Sequence, residues 1–390
     1  MRIAFVSTYD FAIPGGVKHH ICNLAAALRQ QGHTTQIIAP ASTTPQDLDP
    51  SYFHQITQFP SATYTGSIAP HLLFGIQSIK KLHHLLNSIE VDLIHLHEPL
   101  VPPLCLSTLR HRKTPIIATF HTYYEKGQPL YRLFQHTLNT KLSQLQGRIA
   151  VSTPAKNYIA QYFPYDYRII PNGIDLEKFS TKTNRPPQLT TGSINLLFVG
   201  HAQFKRKGLR YLLDAYHQLK PRYPSLRLII AGTRWPGRLA PKELKHADTP
   251  DIVYLGTVNE DTLIQLYQHA DIFCAPSIGN ESFGIVLLEA MAAGIPIVST
   301  TIEGYASVVR HEQEALLVPP KNSAALASAI ARLIEEPALK ARLIAQGSLR
   351  VQRYAWPRIA NEVMDYYQQQ LAHAGIPPTI PQDRTHKDNE

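Results

Sequence analysis

The chain has 390 residues, which predicts two or three domains at about 150 residues each. With 44% hydrophobic and only 17% charged residues it can build sizeable cores, so wholesale disorder is excluded. The 38 Lys and Arg against 29 Asp and Glu leave +9, a balance compatible with nucleic acid, anionic lipid or phosphorylated substrates that alone selects none of them.

In the first half, short β-rich runs at 2–7, 34–39, 91–96, 115–119, 147–151 and 167–170 alternate with helical patterns at 17–31, 71–88 and 129–145. Pro171-Asn172-Gly173-Ile174-Asp175 reads as a turn, and the polar stretch Ser180–Ser193, with Pro186-Pro187, as linker. The pattern then restarts, with strands at 194–199, 226–231, 252–255, 271–274, 296–299 and 315–318. Helices are expected at 207–219, 259–269, 284–293, 322–335 and 338–350. A last helix follows at 357–371, and the Pro-rich tail 375–390 is expected to be disordered. The expected fold class is α/β: two facing Rossmann-like doubly wound domains with a cleft between them. The boundaries are 1–172 and 173–356, with 176–193 as the linker and 357–374 as a C-terminal helix.

Cys22, Cys105 and Cys274 stand far apart, which excludes a disulfide scaffold and a cysteine zinc site and fits a reducing compartment. The opening apolar run is too short for a signal peptide, and no run approaches 18 apolar residues. The expectation is a cytoplasmic protein.

Three segments carry candidate chemistry. Pro14-Gly15-Gly16-Val17 follows the first strand and opens a helix, so backbone N–H groups there suit an anion; an ordinary tight turn accounts for it equally well. It lacks GxGxxG, which disfavours NAD or FAD. Gly200–Gly208 places Lys205, Arg206 and Lys207 at a helix mouth after a strand, as a diphosphate clamp or a solvated basic loop. The most specific is Gly279–Pro296, where Glu281 and Glu289 are separated by seven residues and Gly284 stands near the helix start. Glu281 precedes the first turn and Glu289 lies about two turns along, so they touch different parts of one elongated ligand. Two surface glutamates on an amphipathic helix would leave the glycines and the apolar setting unexplained.

The Glu281–Glu289 spacing resembles the EX7E motif of retaining glycosyltransferases of the GT-B fold, family 4. PGGVKHH, Phe120-His121-Thr122, IPNGID and the Lys205–Gly208 loop occur in that family's order, over about residues 2–371. The wording of YDFAIPGGVKHH, LIHLHEP, ATFHT and CAPSIGNESFGIVLLEAMAAG is similar to the phosphatidylinositol mannosyltransferase group. The resemblance implies a nucleotide-sugar donor, GDP- or UDP-linked, on the C-terminal domain, and an acceptor on the N-terminal domain. The final helix would return to the N-terminal domain. By matching position, Gly16, Arg206 and Lys207 would bind the diphosphate, and Glu281, Ser282, Phe283, Gly284 and Ile285 the sugar. Glu289 would bond the ribose, His121 would assist at the reacting carbon, and Tyr9, His201 and Val258 would line the donor pocket. Lys18, Tyr64 and Thr65 would meet the acceptor. No metal is required: a divalent cation would at most stimulate, without a dedicated site. Fixed cations stabilise the charge that grows on a departing diphosphate.

Four positions depart from the pattern: His201 stands for an arginine, Lys18 for a glutamine, Pro70 for a phosphate-gripping arginine and Leu263 for a lysine near the base. The scaffold is kept while base and acceptor contacts differ. On helix 71–88, Ile76, Ile79, Leu82, Leu85, Leu86 and Ile89 share one side, opposite Lys80, Lys81, His84 and Asn87. Covering the sheet explains that helix, and Lys80 and Lys81 resting on an anionic membrane is the added expectation. The leading expectation is a retaining hexosyltransferase with a membrane-lipid acceptor, a monomer or weak homodimer peripheral at the cytoplasmic face. A soluble sugar, polyol or glycan acceptor is the alternative, and a catalytically degenerate nucleotide-sugar binder another. No nucleic-acid-reading motif is present.

Overall fold

In a computed structural model, described for residues 1–13, 15–57, 76–101, 104–111, 113–201, 204–232 and 250–375, the strand runs build two parallel sheets. The first joins β1 (Arg2–Ser7), β2 (Thr34–Ala39), β3 (Phe53–Gln55), β4 (Leu93–His97), β5 (Ile116–Phe120), β6 (Gly147–Ala150) and β7 (Arg168–Ile169) in the order β3-β2-β1-β4-β5-β6-β7. The second joins β8 (Ile194–Val199), β9 (Leu226–Ala231), β10 (Ile252–Gly256), β11 (Ile272–Ala275), β12 (Ile297–Thr300) and β13 (Leu316–Val318) in the order β10-β9-β8-β11-β12-β13. Helices cover both faces of a parallel sheet, so its central strands are apolar throughout rather than alternating. Every residue of β4, β5, β11 and β12 is buried accordingly.

The chain divides into two compact units. One holds Met1–Thr122, Lys126–Gly173 and the chain from Trp356; the other holds Ile174–Ala355 with Tyr123–Glu125. Within the segment expected as linker, Phe179 and Leu189 are buried in the second unit's core, and Leu176–Ser180 forms a helix capped by Asp175. The final helix, Trp356–His373, packs on helix Gly16–Gln30 and buries Ile359, Val363, Met364 and Tyr367 in the first core. The Tyr367 hydroxyl lies 2.6 Å from Nδ1 of the buried His95, and the Tyr366 hydroxyl accepts the Arg148 backbone N–H at 2.9 Å.

Strand and helix positions agree with the sequence reading to within a residue or two at most ends, with two differences of kind. The expected helix 129–145 is broken at Phe134 into Pro129–Leu133 and Gln135–Leu142. Short elements went unread: β3 and the helices Leu104–Thr108, Thr153–Ala160 and Glu303–Ala306 are too brief to show a period. Helix 71–88 is described from Ile76, and the tail beyond Gly375 lies outside the described residues, as do Tyr64, Thr65 and Pro70.

Sheet order reverses between β1 and β4 in the first unit and between β8 and β11 in the second, and ligands of open α/β sheets bind outside the strand ends at such points. The segments leaving β8 and β11 are the ones that hold Arg206, Lys207 and Glu281. Tyr367→Phe removes one hydroxyl and leaves His95 Nδ1 buried without its partner. The expected cost is about 1–3 kcal/mol, read as a lower urea midpoint at unchanged m-value.

Candidate active site

In the second unit, Lys205–Lys207 forms a single 3-10 turn ahead of helix Leu209–Leu219. Gly208 closes that turn in the left-handed region at φ 71°, and a Cβ there would sit 1.9 Å from the Pro276 carbonyl oxygen. The turn is thereby pressed onto the loop after β11, and the Ile278 N–H donates to the Arg206 carbonyl at 2.8 Å. The approach brings Arg206 Nη1 and Lys207 Nζ each to 2.5 Å from the same oxygen, Oε1 of Glu281. Arg206 also donates to the Asn280 carbonyl at 3.3 Å. One carboxylate neutralises one of two cations, so the cluster keeps a net positive charge for an anion.

Glu281 leads into helix Ile285–Ala293, entered through Gly284 at φ 99° and closed by Gly294 at φ 73°. The first-turn N–H groups of such a helix have no intrahelical acceptor and suit a phosphate. Phe283 is buried against Tyr354, while Ser282, Ile285 and Val258 are half-buried. Further along, Glu289 accepts the Tyr267 hydroxyl at 2.8 Å; burial raises its pKa, and the tyrosine bond offsets part of that rise. His201 is exposed, its ring edge-on to Phe204, whose face lies 5.6 Å from the Arg206 guanidinium carbon.

The first unit carries a buried histidine set. Alternation in β4 turns His95 and His97 to one face, His121 stands at the end of β5, and His20 arrives from helix Gly16–Gln30. His97 Nδ1 lies 2.9 Å from His121 Nε2, and His20 Nδ1 lies 2.8 Å from the Asn172 side-chain oxygen. Burial holds His95, His97 and His121 well below the ordinary imidazole pKa and His20 at about 4, so all four are neutral at pH 7. Glu98, at φ 59°, accepts the His121 backbone N–H at 2.6 Å and the Thr122 hydroxyl at 2.7 Å. It therefore fixes the chain that presents His121.

The sequence singles out His121 without the residues that orient it, His97 and Glu98. His20 and His97 sit in PGGVKHH and LIHLHEP, but nothing local reveals that these motifs meet. A metal-ligand set was likewise not expected. Among the described residues, His20, His97 and His121 are the one grouping able to hold a metal ion, with ring nitrogens within 4.8 Å of one another.

The remaining expected positions scatter. Gly16 opens its helix and Tyr9 is half-buried in the first unit, apart in sequence and unit from the cation cluster. Lys18 is already paired with Asp47 at 2.8 Å. Lys80 and Lys81 are exposed, with Lys81 donating to the Gln55 carbonyl. Ile76, expected on the inward side of that helix, is 71% exposed; the buried positions are Ser78, Leu82 and Leu86. Ser78, Leu82 and Leu86 follow helix spacing, and Ile76 falls outside that stripe.

Gly208→Ala meets both a left-handed φ and the Pro276 carbonyl, so a loss of more than about 2 kcal/mol is expected on urea unfolding. Acid has a predictable effect too. His20 titrates near pH 6.5 when unfolded and near 4 when folded, so stability is full above pH 6.5 and falls as pH drops toward 4, by about 3 kcal/mol for this group. His95, His97 and His121 act in the same direction, and Glu98 and Glu289, whose pKa values are raised, oppose it in part. Urea midpoints at pH 7.5 and 5 check the sign.

Comparison with known proteins bears on both units. Residues 180–350 match the family described as glycosyl transferases group 1, and residues 14–178 match glycosyltransferase family 4. The chain is 35% identical over 372 residues to the phosphatidyl-myo-inositol mannosyltransferase of Mycobacterium tuberculosis, covering 94% of this chain and 97% of that one. It is 34% identical to the protein of the same name from Mycolicibacterium smegmatis, covering 96% and 95%. Among solved structures, sucrose-phosphate synthase from Thermosynechococcus elongatus superposes with a TM-score of 0.81 at 22% identity, over 95% of this chain and 99% of that one. HepE from Anabaena, solved with UDP and glucose, gives 0.76 at 19% identity, over 94% and 99%. The fold shared with both is GT-B.

Proposed function

Because this chain belongs to the family 4, group 1 glycosyltransferases, we propose that it moves a hexose from a nucleoside diphosphate sugar, with retention, to a hydroxyl of an inositol- or diacylglycerol-type membrane lipid. The observation that carries this reading is the Arg206–Lys207–Glu281 cluster at the mouth of helix Ile285–Ala293. Its chemistry suits a donor whose leaving group is a diphosphate. As the bond from the anomeric carbon to the phosphate oxygen breaks, charge builds on the diphosphate, and Arg206, Lys207 and the helix N–H groups stabilise it more than they stabilise the ground state. Diphosphate drawing both cations away frees Glu281 to accept sugar hydroxyls, while Glu289 takes the ribose. The acceptor hydroxyl bonds to the anomeric carbon on the face the diphosphate leaves, and its proton passes to the departing phosphate oxygen. His121, neutral and steadied by His97 and Glu98, hydrogen-bonds a hydroxyl without adding charge.

Mannose and an inositol lipid are the first donor sugar and acceptor to test, since the relatives above bear that name. His201, Lys18 and Leu263 still argue for a panel. Among the described residues no helix is long and apolar enough to cross a membrane, which fits attachment at a surface. Purified protein would be given GDP-mannose and the UDP-linked glucose, galactose and N-acetylglucosamine, each with and without vesicles containing phosphatidylinositol or diacylglycerol. Lipid-dependent release of nucleoside diphosphate with a glycolipid of added hexose mass is expected. Release indifferent to lipid would favour a soluble acceptor, and donor binding without release the degenerate binder. Glu281→Ala is expected to slow turnover by about 10²–10³-fold with an unchanged circular dichroism spectrum; wild-type turnover would move the site elsewhere.

A further inference from the structure

The four imidazoles buried in the first unit do not use their nitrogens alike. His95 has both committed, Nε2 lying 2.7 Å from the Thr119 hydroxyl and Nδ1 2.6 Å from the Tyr367 hydroxyl. His20 places Nδ1 2.8 Å from the side-chain oxygen of Asn172. An amide oxygen only accepts, so that Nδ1 carries the hydrogen and the lone pair of His20 is on Nε2. His97 spends Nδ1 on His121 Nε2 at 2.9 Å, and its Nε2 has no partner although the side chain is 0% exposed. Hydrogen bonding therefore does not account for the whole of this ring, and a buried ring nitrogen with nothing to bond marks a site short of a partner.

His97 belongs to the one set that converges. His20, His97 and His121 each offer a nitrogen within 4.8 Å of the other two. Their ring centroids are 4.9 Å apart for His20 and His121, 5.3 Å for His20 and His97, and 5.2 Å for His97 and His121. Tetrahedral zinc with nitrogens at about 2.0–2.1 Å holds those nitrogens about 3.3 Å apart. The widest separation in the set need close by no more than about 1.5 Å to meet that geometry, a matter of side-chain torsions.

The surroundings suit a cation. A metal-ligating imidazole ordinarily donates its other N–H to a fixed oxygen, which sets the ring and its tautomer, and Asn172 stands in that place behind His20. Glu98, one residue from His97, is buried on the His121 backbone N–H and the Thr122 hydroxyl, so a cation there has an acid for a neighbour. Imidazole selects late first-row metals such as zinc, cobalt and nickel, whereas magnesium, calcium and manganese prefer oxygen. His121, just past the end of β5, keeps 9% exposure, the most of the three, so the approach from solvent runs over its ring. Each neutral imidazole has one lone pair to give, and no proton need be displaced.

We propose that His20, His97 and His121 form a binding site for a late first-row divalent cation, with zinc as the probe, and that a bound ion withdraws His121 from substrate. The site stands on the geometry of the three rings, while the withdrawal rests on the hydroxyl-bonding role given to His121 above. Chelator-stripped full-length protein would be titrated with cobalt(II) and zinc as wild type, His97→Gln, Asn172→Ala and His217→Ala, the last an exposed histidine of the second unit. Wild type and His217→Ala should bind one cobalt ion with the visible absorption of a four-coordinate site, displaced by zinc and not by excess magnesium. Asn172→Ala should bind about tenfold or more weakly, and His97→Gln about 100-fold or more weakly. X-ray absorption of the zinc-loaded wild type, which needs no variant, should show three imidazole nitrogens at about 2.0–2.1 Å. Zinc should also slow turnover, and chelator should restore it.

Equal affinity in wild type and His97→Gln overturns the site, as does equal loss in His217→Ala, which would make the binding adventitious. A zinc shell containing sulfur, or fewer than three imidazoles, overturns it too. Zinc held by the three histidines with turnover unchanged would uphold the site and remove His121 from the reaction. No zinc bound, with His121→Ala inactive and folded, would do the reverse.

Discussion

One carboxylate oxygen shared by two cations organises the loops at the strand ends of the second unit. Arg206 and Lys207 carry like charge on adjacent residues, and without Glu281 they would repel each other at the mouth of a helix whose dipole adds more positive charge. Glu281 makes the arrangement stable before any ligand arrives. It also leaves the trio one positive charge in excess, available to an anion. The close approach of Gly208 to Pro276 and the left-handed Gly284 are backbone conditions of that pairing, since each sets the angle at which one loop meets the other.

The first unit solves the opposite problem. Four imidazoles are packed where charge is costly, and they hydrogen-bond one another and neutral partners, so each stays uncharged. A glutamate in a left-handed conformation, Glu98, uses its carboxylate on backbone and hydroxyl donors. Such backbone strain persists where the surroundings over-determine it, and it marks the stretch ending in His121 as a positioned element. The second unit thus holds its cations partly exposed, while the first keeps its imidazoles neutral and buried.

Every strand but β3 was legible in the sequence, because the others lie in short runs rich in apolar residues and bounded by turn residues. The cation cluster was legible because its members lie in two strand-to-helix loops with glycine at fixed offsets. What escaped notice was whatever depends on distant segments meeting. His20, His97 and His121 are separated by 77 and 24 positions, and no local pattern says that their rings converge. Tyr267 was invisible as the partner of Glu289 for the same reason. The orientation of Ile76 failed differently: counting apolar residues around a helix assumes the stripe is complete, and Ser78 occupied an inward place instead.

The membership of the last helix in the first unit has a consequence for how the molecule comes into being. Apart from Tyr123–Glu125, the second unit is one uninterrupted stretch, Ile174–Ala355, whereas the first needs residues from both sides of it. During synthesis the first 173 residues emerge lacking the helix that buries Ile359, Val363 and Met364 in their core and gives His95 its tyrosine. That half waits, its apolar face uncovered, until the later unit has been made. A chain ordinarily completes its domains from the N-terminus onward, and this one closes its first domain last.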